Sequence, residues 1–374
     1  MPSIAITGTG LYAPPDVVSN DELVAAFNAY VDTENQKNAG AIARGEAAPL
    51  EKSSDEFILK ASGIHRRHVV DRSGILDPKV LGPRIRERSN DQHSLQCEMA
   101  LIAAREALSQ ANVAPSSIDA VIVACSNLQR PYPAVAIEVQ SALGAGGFAF
   151  DMNVACSSAT FGVQVARDAV AQGSARRVLV VNPEICTAHL NFRDRESHFI
   201  FGDACTAVIV EPLLGCASRE PFEIVSTRAA THYSNAIRNN FGFLNSAAPE
   251  HRGDADKLFV QQGRKVFKDV SPKVAELMSA HLDSAAIPRD QVRRLWLHQA
   301  NLTMNEWISR KVLGRDATAE EAPSALAEYA NTSSAGSMIV FHQFRSGLAR
   351  GDVGVICSFG AGYSIGSVIV KKAG

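Results

Sequence analysis

The chain has 374 residues, 46% of them hydrophobic, with 37 lysines and arginines against 39 aspartates and glutamates and a formal net charge of −2. That length supports two core-forming halves, and a charge so near zero gives no reason to expect nucleic acid or a membrane surface as the main partner, so any basic docking site must be local. Seven cysteines, at 97, 125, 156, 186, 205, 216 and 357, are odd in number, scattered and mostly set in apolar runs, the pattern of a reduced compartment. No basic stretch precedes a long apolar segment at the N-terminus and no apolar run approaches a bilayer span, so a soluble, cytoplasmic protein is expected. No CxxC pair or HExxH helix offers a metal site; Cys186 and His189 form only a lone C-x-x-H.

In chain order, Ile4-Ala5-Ile6 reads as a strand and leads into Gly8-Thr9-Gly10, which superficially resembles a dinucleotide-binding turn. Pro14 and Pro15 forbid the helix such a turn must open, leaving a phosphate without a helix N-terminus to rest on. Residues 29–52, alanine-rich and charged, read as a helical excursion or surface loop, and 72–93 as a second polar stretch. Alanine-rich Ala100–Gln110 predicts a helix before the β-branched strand Ile118–Val123, and Thr160–Gln172, closed by Gly173, predicts another before Val178–Val181. Phe201-Gly202-Asp203 reads as a turn whose aspartate bonds its own backbone. Met338–Leu348 predicts an apolar helix, Val353–Ile356 a strand, and Gly360-Ala361-Gly362 a tight turn with its N–H groups pointing inward.

Two pairs of segments look like copies. Ile118–Leu128 matches Val292–Leu302, with a shared Asn-Leu ending, and Phe201–Val210 recurs as Phe359–Val370. Duplicated α/β halves, 1–215 and 216–374, predict one body with a pseudo-twofold axis and a site at the interface between the halves.

Three residues stand where such a site is expected. Cys156, in Asp151–Gly162, lies at a strand-to-helix turn whose unpaired N–H groups and partial positive charge favour thiolate and can hold an oxyanion. His298 closes the strand-like Leu295-Trp296-Leu297, and Asn331 sits in a small, polar turn before the last helix. Each has a plainer reading, as structural cysteine, satisfied core histidine and turn-forming asparagine. Together they suit acyl transfer followed by carbon–carbon bond formation. A thiolate takes an acyl group from a thioester, and two neutral donors hold the carbonyl of a malonyl thioester as it loses CO2 and becomes an enolate. A carboxylate nearby would repel that enolate. The backbone N–H groups of Cys156 and Ala361 are the candidate oxyanion hole for the attack on the acyl-cysteine.

The segments around Cys156, His298-Gln299-Ala300-Asn301-Leu302 and Asn331-Thr332-Ser333 resemble the active-site motifs of 3-oxoacyl-acyl-carrier-protein synthase III, within the thiolase superfamily. The resemblance runs over nearly the whole chain, with insertions at about 29–52 and 72–88. It implies an α/β, five-layered αβαβα fold and a homodimer with no cofactor. It further implies acylation of Cys156 by acyl-CoA, then decarboxylative condensation with malonyl-acyl-carrier protein. By the same resemblance Tyr132 reaches the partner's acyl pocket, at a position where relatives that make 3-hydroxy-3-methylglutaryl-CoA or join two long acyl chains carry a glutamate base. Phe57, Arg195, Phe201, Gly263, Phe267, Asn301 and Thr303 fall on substrate-binding positions, although the family's adenine-sandwiching tryptophan and arginine are Phe57 and Ala61 here and a further arginine is Thr303. Arg264, Lys265, Lys268, Arg310 and Lys311 fall on the basic patch that docks acidic carrier protein. Two other functions fit the scaffold: an acyltransferase that passes the acyl group to an alcohol, amine or thiol without decarboxylation, and a non-catalytic partner subunit.

Overall fold

The computed structural model describes residues 2–374. Nine strands form the main sheet, in the order Val292–Leu297, Val353–Gly360, Gly362–Lys372, Phe222–Ser234, Ile4–Tyr12, Asp203–Pro212, Val178–Ile185, Ala120–Ala124, Phe148–Met152. The two ends are built alike. Ala120–Ala124 runs parallel to Val178–Ile185, which pairs antiparallel with Asp203–Pro212; Val292–Leu297 runs parallel to Val353–Gly360, which pairs antiparallel with Gly362–Lys372. The segments that look like copies in the sequence therefore occupy equivalent strands. In the main sheet the pairs Ala5 with Glu223 and Ile6 with Phe222 join the two half-sheets.

Layering follows from which faces are apolar. Helices Ser158–Gln172 and Ala335–Phe344 are rich in small and apolar residues and are buried between the half-sheets, where Val163, Ala166, Met338 and Phe341 share one core with Ile122, Val180, Ile356 and Val368. Helix Leu95–Ala111 packs its alanine face on the outside of one half-sheet. Helices Gly263–Ser284 and Leu302–Leu313 cover the outside of the other. Counting inward and outward, the order is α, β, α, β, α, a thiolase-like arrangement. Among the described residues no helix is long and apolar enough to cross a membrane.

Gly8-Thr9-Gly10 is no turn at all, since both glycines lie inside the strand Ile4–Tyr12. They admit the backbone of helix Leu95–Ala111: a Cβ on Gly8 would stand 2.0 Å from the Ala107 carbonyl oxygen, and one on Gly10 1.9 Å from that of Ala103. Gly10→Ala is expected to lower the melting temperature, by an overpacking cost of about 1–3 kcal/mol or more, because the obstacle is backbone rather than a movable side chain. A thermal melt indistinguishable from the wild type contradicts this reading.

The excursion at 29–52 continues helix Asn20–Lys37, adds the short helix Ala39–Ala43 and returns as an extended arm. Asn28 and Asn35 clip that arm through Ser53 and Leu50, at 2.9 and 2.8 Å.

Candidate active site

Cys156 lies one residue before Ser157, which caps the buried helix, and Ala155 at φ 47 makes the sharp entry. Gly360 lies against it: a Cβ there would fall 2.6 Å from the Cys156 Cβ, so only glycine lets the last hairpin approach the sulfur. Ala361 follows with no positive φ, and its N–H, with that of Cys156 itself, acts on the thiol to lower its pKa. His298 extends the parallel pairing of its strand, its N–H donating to the Cys357 carbonyl at 2.8 Å, and its ring meets Phe359 edge-on at 5.3 Å. Asn331 is held by backbone of the opposite half, its N–H donating to the Ile200 carbonyl at 3.0 Å and its carbonyl accepting from Gly202 at 3.1 Å. Its Oδ1 accepts from the Ser333 N–H at 2.9 Å, leaving the amide N–H2 to the cavity. Cys156, His298 and Asn331 line one cavity of about 450 Å³, with Phe201, Phe267 and Phe359 among its walls.

Electrostatics correct one expectation. Rather than favouring thiolate, the site pushes the Cys156 thiol up to about 11: burial among the aromatic walls dominates, Glu184 adds to it, and the Ser333 hydroxyl and the two backbone N–H groups only partly offset them. At rest Cys156 is a thiol. His298 moves the other way, down to about 4, because burial disfavours the imidazolium more than a backbone hydrogen bond with Ser333 supports it. The imidazole is therefore uncharged throughout the neutral range. Because the thiol keeps its proton below about pH 11, alkylation of Cys156 by iodoacetamide is expected to rise about tenfold per pH unit from pH 7 to 9. Ser333→Ala, which removes a donor to the sulfur, should slow it at fixed pH. A plateau near pH 8 contradicts the first expectation, and an unchanged rate in Ser333→Ala contradicts the second.

Two residues of this site escaped the sequence reading. Ser333 donates its hydroxyl to the Cys156 sulfur at 3.5 Å; it stands in the Asn331-Thr332-Ser333 motif, where the signal was present but only the asparagine drew a role. Glu184, fully buried, accepts from the Ser126 N–H at 2.9 Å and hydroxyl at 2.6 Å, from the Ser334 N–H at 3.1 Å and from the Ser334 hydroxyl. It clamps the Asn331–Ser334 loop to the end of strand Ala120–Ala124. Nothing in its apolar sequence context sets it apart.

The substrate-binding candidates divide. Phe201, Gly263, Phe267 and Asn301 line the catalytic cavity, as does Arg264. Asn301 spends its carboxamide on structure, capping helix Leu302–Leu313 through the Met304 N–H at 3.1 Å and donating to the Ala61 carbonyl. Thr303 is exposed and does not line the cavity. Phe57 and Arg195 also lie outside the lining but pack on each other, the guanidinium 4.1 Å from the ring centroid, and Arg195 donates to the Lys52 carbonyl at 2.8 Å. The return arm of the excursion thus reaches Arg195, whose neighbour Glu196 lines the cavity. Tyr132 is 82% exposed and lines a separate, larger cavity of about 1000 Å³ that holds none of the three central residues. Of the basic candidates, Lys265 pairs with Asp269 at 2.7 Å, Arg310 pairs with Asp316, and Lys311 lies over the Trp307 ring at 5.4 Å. Arg264 and Lys268 have no ion-pair partner among the described residues.

One further expectation changes. Asp203 does not bond its own backbone; it accepts from the Thr187 N–H and hydroxyl at 2.9 and 2.7 Å and from Val70 at 2.9 Å, tying three segments under the site. The structure also groups His93, Cys97 and Glu138, a set with no spacing signature, in a place apart from Cys156. Glu138 there is already neutralised by Arg130 at 2.6 Å, and burial pushes the Cys97 thiol up to about 12.

A five-layered fold whose half-sheets meet around a thiol, an imidazole and a carboxamide is that of a thiolase-like enzyme that moves acyl groups through a cysteine. The family model of 3-oxoacyl-[acyl-carrier-protein] synthase III matches residues 150–229, and that of its C-terminal part residues 282–372. The chain is 61% identical over 347 residues to the beta-ketodecanoyl-[acyl-carrier-protein] synthase of Pseudomonas aeruginosa, covering 93% of this chain and 99% of that protein. It is 28% identical over 372 residues to the beta-ketoacyl-[acyl-carrier-protein] synthase III of Methylococcus capsulatus, covering 98% of each. The crystal structure of 3-oxoacyl-[acyl-carrier-protein] synthase III from Aquifex aeolicus superposes with a TM-score of 0.75 at 25% identity, covering 98% of this chain and 99% of that one. The chain belongs to the 3-oxoacyl-acyl-carrier-protein synthase III family, and it is a condensing enzyme.

Proposed function

We propose that Cys156 is the nucleophile that takes a medium-chain acyl group from acyl-CoA, and that His298 and Asn331 drive decarboxylation of a malonyl group on acyl-carrier protein. The observation that carries this is the convergence of the three side chains on one cavity. In the first step the Cys156 sulfur bonds to the acyl carbon, the carbon–sulfur bond to CoA breaks, and the thiol proton leaves with CoA as its own thiol. Because no net proton is exchanged, a high resting thiol pKa does not forbid loading. In the second step the malonyl carboxylate leaves as CO2, and its bonding electrons form an enolate held by the two neutral donors. The enolate carbon attacks the acyl carbon, whose oxygen rests on the N–H groups of Cys156 and Ala361; the bond from that carbon to sulfur breaks, and the Cys156 thiolate takes one proton from water to restore the thiol.

An eight-carbon primer, extended by two carbons from malonate, is supported by the relative at 61% identity, whose name gives a ten-carbon product. The carrier protein, acidic and bearing malonate, meets the face of helices Gly263–Ser284 and Leu302–Leu313 that carries Arg264, Lys265, Lys268, Arg310 and Lys311, and Tyr132 is exposed for the contact expected of it in a homodimer. Octanoyl-CoA and malonyl-acyl-carrier protein supplied together should give CO2 and 3-oxodecanoyl-acyl-carrier protein. Octanoyl transfer to an alcohol, amine or thiol with no CO2 would instead establish the acyltransferase reading.

A further inference from the structure

The catalytic cavity and the larger cavity share a wall of three rings. Phe201 and Phe259, which line the catalytic side, meet edge to face with centroids 4.7 Å apart. His189 lines the larger side, its ring centroid 5.4 Å from that of Phe201 and 6.4 Å from that of Phe259. Its main chain is fixed by the Phe259 N–H, which donates to the His189 carbonyl at 2.8 Å, and its side chain by Asn127, whose Oδ1 lies 2.9 Å from Nδ1. The amide oxygen can only accept, so Nδ1 carries the proton and Nε2 is left as an acceptor; it is buried and has no hydrogen-bond partner. Burial pushes the imidazole down to about 4, so the wall is uncharged at neutral pH. A buried unpaired acceptor costs free energy that a phenylalanine would not, so packing alone does not select histidine here. Beyond this ring lies the larger cavity, of about 1000 Å³, which Ile185, Ala188 and Tyr132 also line.

We propose that His189, tethered to Asn127, is the far stop of the acyl site: a primer chain on Cys156 runs past Phe201 and Phe259 towards it, and the ring limits chain length by closing the way into the larger cavity. This rests on the proposed acylation of Cys156. The test uses the full chain and compares kcat/KM for dodecanoyl-CoA with that for octanoyl-CoA, with acylation of Cys156 followed by mass spectrometry. Each methylene that gains burial favours binding about fourfold, so His189→Ala, by admitting four more, should raise the dodecanoyl-to-octanoyl ratio on the order of a hundredfold. His189→Phe restores the ring's volume but not the tether to Asn127, so it should return the ratio to about that of Asn127→Ala, well below that of His189→Ala. Asn127→Ala frees the ring and should raise the ratio by less than His189→Ala does. A His189→Ala protein with a wild-type melting profile and an unchanged ratio overturns the proposal. If that variant fails to fold, an unchanged ratio in Asn127→Ala overturns it instead. Wild-type protein that loads no acyl group at all overturns the acylation reading and this inference with it, whereas normal loading with an unchanged ratio removes only the inference.

Discussion

Cys156→Ala protein is expected to take up no acyl group from octanoyl-CoA and to form no 3-oxodecanoyl product, a fall of at least about 10⁴-fold in condensation. No other thiol can substitute. Among the described residues, Cys97, Cys125, Cys186, Cys205 and Cys357 are buried in the core clusters or beside them, and Cys216 is far from the lining of the catalytic cavity. The methyl side chain leaves helix Ser158–Gln172 and its contacts intact, so the melting temperature should change little. Decarboxylation is assigned to His298 and Asn331, which the substitution does not touch, so slow release of CO2 from malonyl-acyl-carrier protein should persist. Loading of the variant at another residue, with product still formed, would move the nucleophile elsewhere.

Asn331→Ala separates the two half-reactions. Loss of one positioned donor to a developing oxyanion typically costs about 10²–10³-fold, and in the proposed scheme only the malonyl half-reaction uses this donor. Condensation should fall by that amount while acyl loading on Cys156 stays within a few-fold. Because Asn331 Oδ1 also accepts from the Ser333 N–H, and Ser333 touches the sulfur, alanine disturbs more than the donor. Asn331→Asp controls for this. It keeps the accepting oxygen and replaces the donor with a charge that repels the enolate, so condensation should fall at least as far. Loading impaired as severely as condensation in both variants would make Asn331 a support for the thiol and not a decarboxylation group.

The strands and buried helices were legible because their composition is unambiguous: β-branched runs such as Val178–Val181, and Thr160–Gln172 with Gly173 at φ 77 closing it. The paired segments were legible as well, since equivalent strands face equivalent neighbours. That the strand runs on through Gly8-Thr9-Gly10 was not legible, because a glycine admitted for helix packing and one admitted for a turn leave the same letter in the sequence. The thiol was misjudged for a related reason. A helix N-terminus is visible in the chain order, whereas the aromatic walls that bury Cys156 come from distant segments, Phe201 from one half and Phe359 from the other. Glu184 is joined to the Asn331 loop through Ser334, and Asp203 to Val70, across long sequence separations by hydrogen bonds that no local pattern encodes. Asn301 shows the converse, a motif residue whose side chain is committed to capping a helix.

The most direct measurement follows mass on one peptide through both steps. Wild-type protein is exposed to octanoyl-CoA, freed of excess, digested and weighed, then treated in parallel with malonyl-acyl-carrier protein before digestion. The account predicts one octanoyl group on the peptide containing Cys156, lost on the second treatment as 3-oxodecanoyl-carrier protein and CO2 appear. An octanoyl group found on a different residue, or one on Cys156 that malonyl-acyl-carrier protein does not remove, contradicts it.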